Sequence, residues 1–435
     1  MHTPVSHFIE FVRRSPSAFH AVDEITRTLL ERGFTPLSEQ DAWSVAPGGR
    51  YFVTRNRSSV VAFAIPECGF APFQIVASHS DSPTFKLKPA AEDEVCGQYV
   101  RLNVERYGGM IMSTWFDRPL SIAGRVLVRD GSRMLTRLVD LGRDAVLIPN
   151  MPIHFNREVN SGYNYNPQVD LLPLYGGGEA RGSLMREIAK VLGVPEDAIA
   201  SGDLFLYNRT PGSIWGASDE FFSCPRIDDL ECAYTSLQAF LLAGCEGHIN
   251  VFAVFDNEEV GSGSKQGADS TLLSDVLTRT AAALGASDSQ TRAAIAASFM
   301  ASADNAHAVH PNHPEKYDAQ NRTFMNAGVV IKHNANQKYT TDAVSSAIFA
   351  AICERAGVPV QHFSNRSDIL GGSTLGNIAN THASMNTVDI GLAQLAMHSC
   401  YETAGTADVD HMIRALTAFY ETQITTRADG EFELG

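Results

Sequence analysis

Residues 251–264 read VFAVFDNEEVGSGS, so a short apolar run leads directly into acidic residues and then into a Gly/Ser loop. A short apolar run that ends at turn residues is typical of a buried strand. Asp256, Glu258 and Glu259 follow the run at the end of that strand, where carboxylates without a partner are costly to bury. We therefore expect this end of the strand either to be open to water or to face a strong positive charge.

Short apolar runs of this kind alternate with helical patterns along much of the chain. Buried strands are predicted at SSVVAFAIP, FQIVASHSDSP, GHINVFAVFDNEE and AGVVIKH. Helical or mixed apolar segments are predicted at SPSAFHAVDEITRTLLERGF, TLLSDVLTRTAAALG, AAIAASFMASAD and DAVSSAIFAAICERAG. This alternation favours an α/β fold, in which a mostly parallel sheet is flanked by helices.

The middle of the chain has a different pattern. In QYVRLNVERYG, Val100, Leu102 and Val104 alternate with polar residues, and AGRVLVRDG and AVLIPNMPIHFN are further strand-like runs. A polar, Gly-rich stretch follows them. We therefore predict a β-rich domain at residues 90–222, inserted into an α/β domain that comprises residues 1–89 and 223–435.

Composition narrows the class of protein. The formal net charge of -15 argues against nucleic acid or an anionic membrane surface as the main partner. Seven cysteines, unevenly spaced, do not form a disulfide framework. The chain shows neither the pattern of a secretory signal nor an apolar stretch of the roughly 18 residues that a membrane helix needs. We expect a cytoplasmic protein.

Two predicted strands end in side chains that can bind metal. In open α/β sheets, ligands bind at the carboxyl ends of the strands. His79 and Asp81 are two residues apart and can point to the same side, so that His79 binds a metal and Asp81 orients its other ring nitrogen. Glu258 and Glu259 would point to opposite sides of a strand, one as a ligand and one as a general base. Taken alone, the first pair also fits a loop histidine beside a turn aspartate, and the second pair fits a solvated turn.

Three further segments supply metal-binding side-chain types, each with an ordinary structural alternative. The acids of PRIDDLECAY begin a predicted helix, where acids commonly cap the helix. The histidine of LAMHSCYE lies in an apolar, helix-like segment that would also suit a core histidine. The third segment, SADNAHAVHPN, has helix-like or turn spacing. The candidates in these three segments are Asp228, Asp229, His398, Asp304, His307 and His310.

Taken in order, these segments resemble the aspartyl aminopeptidase family of metallopeptidases. The shared motifs cover nearly the whole chain and are ASHSDSPTFKLKP, STWFDRPLSIAGRV, PRIDDLECAY, DNEEVGS, SADNAHAVHPN, NQKYTTDAV and QLAMHS. The resemblance implies a parallel α/β metallopeptidase domain split by a β-rich dimerisation domain. It also implies two zinc ions per subunit, as in other two-metal aminopeptidases. Mn²⁺ or Co²⁺ would also suit a carboxylate-rich ligand set.

The resemblance assigns metal ligands residue by residue. His79, Asp228, Glu259, Asp304 and His398 occupy the positions of the family's ligands. Asp228 would bridge both ions. Glu259 and His398 would complete one side of the site, and His79 and Asp304 the other. This implies that five residues far apart in sequence meet at one point of the fold.

The resemblance also implies roles beyond metal binding. Glu258 would be the general base that activates a hydroxide bridging the zinc ions, and Asp81 would orient His79. The implied reaction removes an N-terminal residue, Asp or Glu, from peptides. Substrate contacts are implied at His154, from a neighbouring subunit, and at His307, Lys332 and Tyr339.

The implied assembly is a homo-oligomer, such as a dodecamer built from dimers. This chain departs from the family's frequent pattern at Asp229, where Asn is common, and at Asn305, where an apolar residue is common. Two other functions stay open from the residues alone. One is a metal-dependent amidohydrolase or deacylase on the same scaffold, and the other is a non-catalytic peptide-binding assembly protein. A retained Glu258 beside a full ligand set argues against the second.

Overall fold

A computed structural model describes residues 4–435 of the chain. Ten α-helices occur within these residues. In chain order they are α1 (Pro4–Arg14), α2 (Ala18–Glu31), α3 (Pro167–Asp170), α4 (Leu184–Leu192), α5 (Ile227–Leu242), α6 (Leu272–Ala283), α7 (Asp288–Ala296), α8 (Ala343–Arg355), α9 (Leu375–His382) and α10 (Asp408–Glu421).

The strands of the described chain form three larger sheets and a C-terminal hairpin. In chain order they are β1 (Thr35–Leu37), β2 (Arg50–Arg55), β3 (Ser59–Ala64), β4 (Phe73–His79), β5 (Thr84–Val95), β6 (Tyr99–Tyr107), β7 (Leu120–Asp130), β8 (Arg133–Asp140), β9 (Leu174–Gly177), β10 (Ile199–Asn208), β11 (Ser213–Trp215), β12 (Phe221–Cys224), β13 (Ile249–Phe255), β14 (Phe299–Ala303), β15 (Ala306–His307), β16 (Val329–His333), β17 (Val360–Ser364), β18 (Asn386–Gly391), β19 (Ala393–Leu395), β20 (Glu402–Gly405), β21 (Ile424–Ala428) and β22 (Glu431–Leu434).

The largest sheet has nine strands in the order β1-β2-β3-β13-β4-β14-β18-β16-β17. Its centre is parallel, because β13, β4, β14 and β18 all run in one direction. Antiparallel pairs, such as β3 with β13 and β16 with β18, occur to either side of that centre. The predicted α/β fold is confirmed, with a sheet that is parallel at its centre and mixed overall.

Helices cover both faces of this sheet, and the alternation of side chains along the strands explains why. In β13, Phe252 and Val254 pack into a core with α1, α2, α5, α8 and α10. Val251, Ala253 and Phe255 pack into a second core with α6, α7 and α9. Both sets are fully or almost fully buried. A strand buried on both faces needs a continuous apolar run, which is why this strand is readable in the sequence.

The inserted part of the chain forms a six-stranded sheet in the order β8-β7-β10-β5-β6-β9. All of its strand pairs are antiparallel, and it encloses a core of its own. The predicted β-rich insertion is confirmed. Its limits at residues 90 and 222 and its role in dimerisation stay predictions. The strand expected in AVLIPNMPIHFN does not form, because Val146, Leu147 and Ile148 make only isolated bridges.

A five-stranded sheet in the order β11-β12-β20-β19-β15 was not expected from the sequence. Its strands are two to four residues long, too short to show a periodic pattern. This sheet holds the segment before α5 beside the turn between β19 and β20. It therefore brings together two parts of the chain that carry candidate ligands.

Two further properties agree with the composition. Within residues 4–435, no helix is long and apolar enough to cross a bilayer. This part of the chain holds all seven cysteines, and each of their thiols is free.

Candidate metal centre

The metal centre lies at the carboxyl ends of the parallel strands. His79 is the last residue of β4 and pairs with Phe255, the last residue of β13. Asp304 directly follows β14, the strand on the other side of β4. Parallel strands end at the same edge of a sheet, so residues from separate parts of the chain meet there.

Asp228 lies between two histidines. Its Oδ1 atom is 3.3 Å from Nε2 of His79, and its Oδ2 atom is 3.3 Å from Nε2 of His398. Nε2 of His398 is also 3.4 Å from Oε2 of Glu259. The Asp228 carboxylate thus has one histidine ring next to each of its two oxygens.

Two groups of ligand atoms share this carboxylate. One comprises His79, Asp228, Asp229 and Asp304, and the other comprises Asp228, Glu259 and His398. Within each group the ligand atoms lie within 4.8 Å of one another. The structure therefore brings together all five predicted ligands and adds Asp229 to the first group.

The hydrogen bonding of these carboxylates fits bound cations. Among the described residues, Oδ1 of Asp229 and Oε1 of Glu259 are buried without a hydrogen-bond partner, and the buried Oδ1 of Asp228 faces the His79 ring. Burial, together with the nearby Asp228, raises the pKa of Glu259 well above its usual value. Burial also raises the pKa of Asp229. Buried carboxylates that lack donors are stabilised by metal ions, and histidine and carboxylate ligands suit zinc.

Asp81 contacts both His79 and the acidic turn after β13. Nδ1 of His79, the ring nitrogen that faces away from Asp228, lies 3.1 Å from the backbone carbonyl oxygen of Asp81 and 3.4 Å from its Oδ1 atom. The carboxylate of Asp81 accepts hydrogen bonds from the Tyr107 hydroxyl at 2.7 Å and from the backbone N–H groups of Glu258 and Glu259 at 3.2 Å each. These contacts hold a histidine ring in one orientation and tie it to the turn, as carboxylates beside metal-binding histidines do.

The turn that carries the two glutamates differs from its prediction. β13 ends at Phe255, and Glu258 and Glu259 lie in a 3₁₀ helix, Glu258–Val260, rather than on opposite faces of a strand. The turn still separates the two glutamates. Glu259 contacts His398, whereas Glu258 faces a cavity that lies beside the predicted ligands. Burial raises the pKa of Glu258 to about 8, with a smaller contribution from Asp304.

His398 also lies in a setting that the sequence did not indicate. It was expected in a helix-like segment, but it occupies the turn between β19 and β20. Its backbone is left-handed, with φ at 67°. That conformation is uncommon for a residue with a Cβ atom and is often found at functional sites.

A cavity of about 270 Å³ lies beside the metal centre. Its lining includes Glu258 and three of the predicted substrate contacts, His307, Lys332 and Tyr339. The fourth, His154, does not line this cavity and lies in an exposed loop of the inserted domain. The structure of one chain therefore brings three of the four together.

Lys332 is a buried cation in the wall of this cavity. Its Nζ atom donates to the backbone carbonyls of Asp304 at 2.8 Å and Asn305 at 3.3 Å, and lies 5.3 Å from the centre of the Tyr339 ring. Burial opposes its charge, but the Asp304 carboxylate holds the pKa of Lys332 above its usual value. Burial and the neighbouring Lys332 lower the pKa of His307 to about 4.

The two departures from the family's frequent pattern both have partners. Oδ2 of Asp229 accepts a hydrogen bond from the backbone N–H of His79 at 3.1 Å. Nδ2 of Asn305 donates to Oε2 of the buried Glu231 at 2.7 Å. Asp229 therefore supports a predicted ligand, whereas Asn305 satisfies a buried carboxylate outside the two ligand groups.

Sequence reasoning missed Tyr107 and Glu402. Tyr107 donates to Asp81, and the carboxylate of Glu402 accepts hydrogen bonds from backbone N–H groups of residues 227, 228 and 398. Burial raises the pKa of Glu402 to about 8, while the N–H groups of His398 and Asp228 favour its charged form. Tyr107 lies in a strand where apolar and polar residues alternate, and Glu402 lies four residues after His398. Neither sequence pattern predicts these hydrogen bonds.

An α/β sheet with a histidine–carboxylate cluster at its parallel strand ends is an arrangement suited to a metal-dependent enzyme. The family model described as Aminopeptidase I zinc metalloprotease (M18) matches residues 11–420. The chain therefore belongs to the M18 family of zinc metallo-aminopeptidases.

Individual relatives agree with this assignment. A protein of Clostridium acetobutylicum named Probable M18 family aminopeptidase 2 is 47% identical over 421 residues, which cover 95% of this chain and 97% of that protein. The structure described as the Ape4 and Nbr1 complex contains a chain that is 35% identical with a TM-score of 0.91, covering 96% of this chain and 85% of that one. The S. cerevisiae mApe1 dodecamer is 27% identical with a TM-score of 0.84, covering 95% of each chain.

Proposed function

We propose that this aminopeptidase uses two zinc ions to remove N-terminal Asp or Glu from peptides. The observation that carries the proposal is the carboxylate of Asp228, which two histidine-containing ligand groups share. A shared carboxylate between two ligand groups is what a pair of neighbouring ions requires, and aminopeptidases are among the two-metal enzymes.

The ligand set divides into two halves. His79 and Asp304 would hold one ion with Asp228, and Glu259 and His398 would hold the other with the same carboxylate. When bound, zinc supplies a Lewis acid that polarises a carbonyl oxygen and lowers the pKa of water. Mn²⁺ or Co²⁺ would also suit these ligands.

Glu258 is the proposed general base. It lines the cavity beside the ligands, and its raised pKa of about 8 suits a group that must both take up and release a proton. Glu258 accepts a proton from the attacking water and then donates it to the leaving amine. Asp81 keeps the His79 ring in the orientation that binds metal.

Lys332 supports a preference for acidic N-terminal residues. Backbone carbonyls accept hydrogen bonds from its Nζ atom, which also lies 3.8 Å from Oδ2 of Asp304, a distance that still allows a third hydrogen bond to a ligand in the cavity. An acidic side chain there would form a charge-assisted hydrogen bond, the strong class of such bonds. His307, whose pKa is about 4, is neutral near pH 7 and would contact substrate without adding charge. Tyr339 lies beside Lys332 and would complete this wall.

The inserted domain supports a homo-oligomer in which subunits share sites. In its exposed loop, Met151, Ile153 and Phe155 have exposed fractions of 56%, 48% and 83%. Exposed apolar side chains close together are typical of interaction surfaces. We infer that this loop docks on a second subunit and carries His154 to that subunit's cavity. The proposed assembly is a dodecamer built from such dimers, like that of the relative mApe1. The proposed location is cytoplasmic, in keeping with the free thiols.

A substrate panel tests the proposed function. The rates of release of N-terminal Asp, Glu, Leu and Lys from otherwise identical peptides are measured, with an acetyl-capped Asp peptide as the control. We expect fastest release of Asp or Glu, loss of activity on chelation and recovery with zinc. Cleavage of the capped peptide would favour a deacylase instead, and fastest release of Leu or Lys would contradict the acidic preference.

A further inference from the structure

Glu402 lies where two ligand-bearing loops meet. It is the first residue of β20 and pairs with Cys224, the last residue of β12. The chain leaves β12 through residues 225 and 226 into α5, whose second residue is Asp228 and whose backbone is not yet helical there, so that this segment acts as a loop. On the other side, the turn that precedes β20 carries His398.

The Glu402 side chain is fully buried and bonds to both loops. Its Oε2 atom accepts hydrogen bonds from the backbone N–H groups of Ile227 at 2.6 Å and Asp228 at 3.1 Å. Its Oε1 atom accepts from the backbone N–H of His398 at 2.8 Å and from Nε2 of Gln394 at 3.3 Å. Four N–H groups therefore converge on one carboxylate, and two of them belong to predicted metal ligands.

Both loops have backbone conformations that need such support. Arg226 and His398 are left-handed, with φ at 59° and 67°. Non-glycine residues in this region are strained and persist when the surrounding structure holds them. For His398, that support comes from Glu402 on its N–H group and from the N–H of Ile111 on its carbonyl.

The two halves of the metal centre depend on Glu402 to different extents. His79 has other supports, because Asp81 faces its ring and Asp229 accepts its backbone N–H. His398 has its backbone N–H on Glu402 itself. Loss of the carboxylate should therefore disturb the half that contains His398 and Glu259 more than the half that contains His79.

We propose that Glu402 is a positioning residue that sets Asp228 and His398 in place before metal binds. It binds no metal itself and acts through the backbone of the two ligands. The inference rests on the proposed pair of ion sites, and it predicts that the two sites respond unequally to the loss of Glu402.

The first experiment is a zinc titration of the metal-free chain in competition with a chromophoric chelator. Glu402→Gln keeps the size of the side chain but replaces one acceptor oxygen with an amide NH2 group. That group then faces backbone N–H donors instead of accepting their hydrogen bonds. We expect wild type to bind two zinc ions per chain. In the variant, the zinc affinity of one site, which we assign to His398 and Glu259, should fall about 10- to 100-fold, the usual effect of changing the support of a ligand. The zinc affinity of the other site should change less. An equal fall at both sites, or no fall, overturns the inference.

Asp408→Asn is the matched control. Asp408 is another fully buried carboxylate, and it accepts backbone N–H groups of Asn326 at 2.5 Å and Gly328 at 2.9 Å, outside the ligand loops. We expect both zinc affinities of this variant to stay within about twofold of wild type, since its contacts support no ligand. A selective loss equal to that of Glu402→Gln would show that any buried carboxylate has this effect, and would overturn the inference.

Hydrogen exchange of the metal-free wild-type chain tests the same idea without a variant. Amides held by Glu402 in advance of metal binding should exchange slowly at residues 227, 228 and 398. Rapid exchange of these amides before zinc is added overturns the inference even if Glu402→Gln does not fold. A wild-type chain that binds fewer than two zinc ions but shows slow exchange contradicts the proposed ion pair and leaves the role of Glu402 in the two loops intact.

Discussion

Individual carboxylates in the metal centre have different neighbours, and the neighbours separate their roles. Asp81 accepts hydrogen bonds from Tyr107 and from two backbone N–H groups, so its oxygens are engaged in holding structure. Asp228 places its two oxygens against two histidine rings, and Glu259 keeps a buried oxygen without a donor among the described residues. Glu258 lines the cavity, and burial raises its pKa to about 8.

The proposed role of Glu258 as general base predicts a variant that binds metal but is nearly inactive. Glu258→Gln should keep both zinc ions and the thermal unfolding midpoint close to wild type. Its kcat should fall at least about 100-fold, because a general acid–base contributes about 10²- to 10⁴-fold. The exposed Glu67→Gln serves as the control and should have wild-type kcat. Wild-type turnover by Glu258→Gln, with zinc bound, would remove this residue from the mechanism.

The position of Lys332 predicts a change in substrate preference. Lys332→Met removes the ammonium but keeps the length of the side chain. The ratio of kcat/KM for N-terminal Asp to that for N-terminal Leu should fall about 10- to 100-fold, because a hydrogen bond to a charged group contributes about 1.5–3 kcal/mol. The exposed Lys316→Met should leave the ratio unchanged. Equal losses for both substrates in Lys332→Met would show that Lys332 supports the fold but not the preference.

Strands and turns position these residues more than helices do. β4, β13 and β14 end at one edge of the central sheet, and the short β19–β20 turn delivers His398 from another sheet. Close packing between strands holds this edge. Gly391, at the end of β18, lies so near β14 that an added Cβ would be 2.0 Å from the carbonyl oxygen of Asp304.

Gly391→Ala should therefore displace Asp304. The overlap forces the backbone to move, which we expect to lower the free energy of unfolding by about 1–3 kcal/mol. Zinc affinity should fall by about tenfold or more on the side that uses His79 and Asp304, as when a ligand loses its support. Gly244→Ala is the control, because the nearest atom to its added Cβ is 4.0 Å away. Wild-type zinc affinity in Gly391→Ala would show that the loop tolerates the shift.

On the scale of the whole molecule, His154 lies in an exposed loop of the inserted domain and does not line the cavity of its own chain. Its neighbours Ile153 and Phe155 are exposed as well. A histidine that completes the site of another subunit would make activity depend on assembly. Closed homo-oligomers with symmetric interfaces are the common way to arrange such sharing.

Subunit mixing tests this dependence. His154→Ala and Glu258→Gln should each have low activity as pure oligomers. After the two are dissociated, mixed equally and reassociated, about a quarter of the sites should combine an intact Glu258 with a partner's intact His154, given random pairing into two-fold dimers. A mixture of Glu258→Gln with Asp228→Asn should recover nothing, since both changes lie in the same chain's site. No recovery in the first mixture would place His154 outside the neighbouring site.

Local chemistry made much of this protein readable from its sequence. Strands buried on both faces need continuous apolar runs, so β3, β4, β13 and β16 were predicted, and the predicted ligands that follow β4 and β13 marked one edge of the sheet. Motifs supplied the family, which the comparisons confirm. These features depend on residues that are close together in sequence.

Tertiary structure decided what depends on residues far apart in sequence. His79 and His398 face the two oxygens of Asp228 only because three separate parts of the chain meet. The helix expected at His398 became a left-handed turn, because short strands of a second sheet and Glu402 hold that backbone. Local periodicity carries no information on such contacts, since it reflects neighbours in sequence, whereas Asp228 and Glu402 use their carboxylates to bind groups from distant segments of the chain.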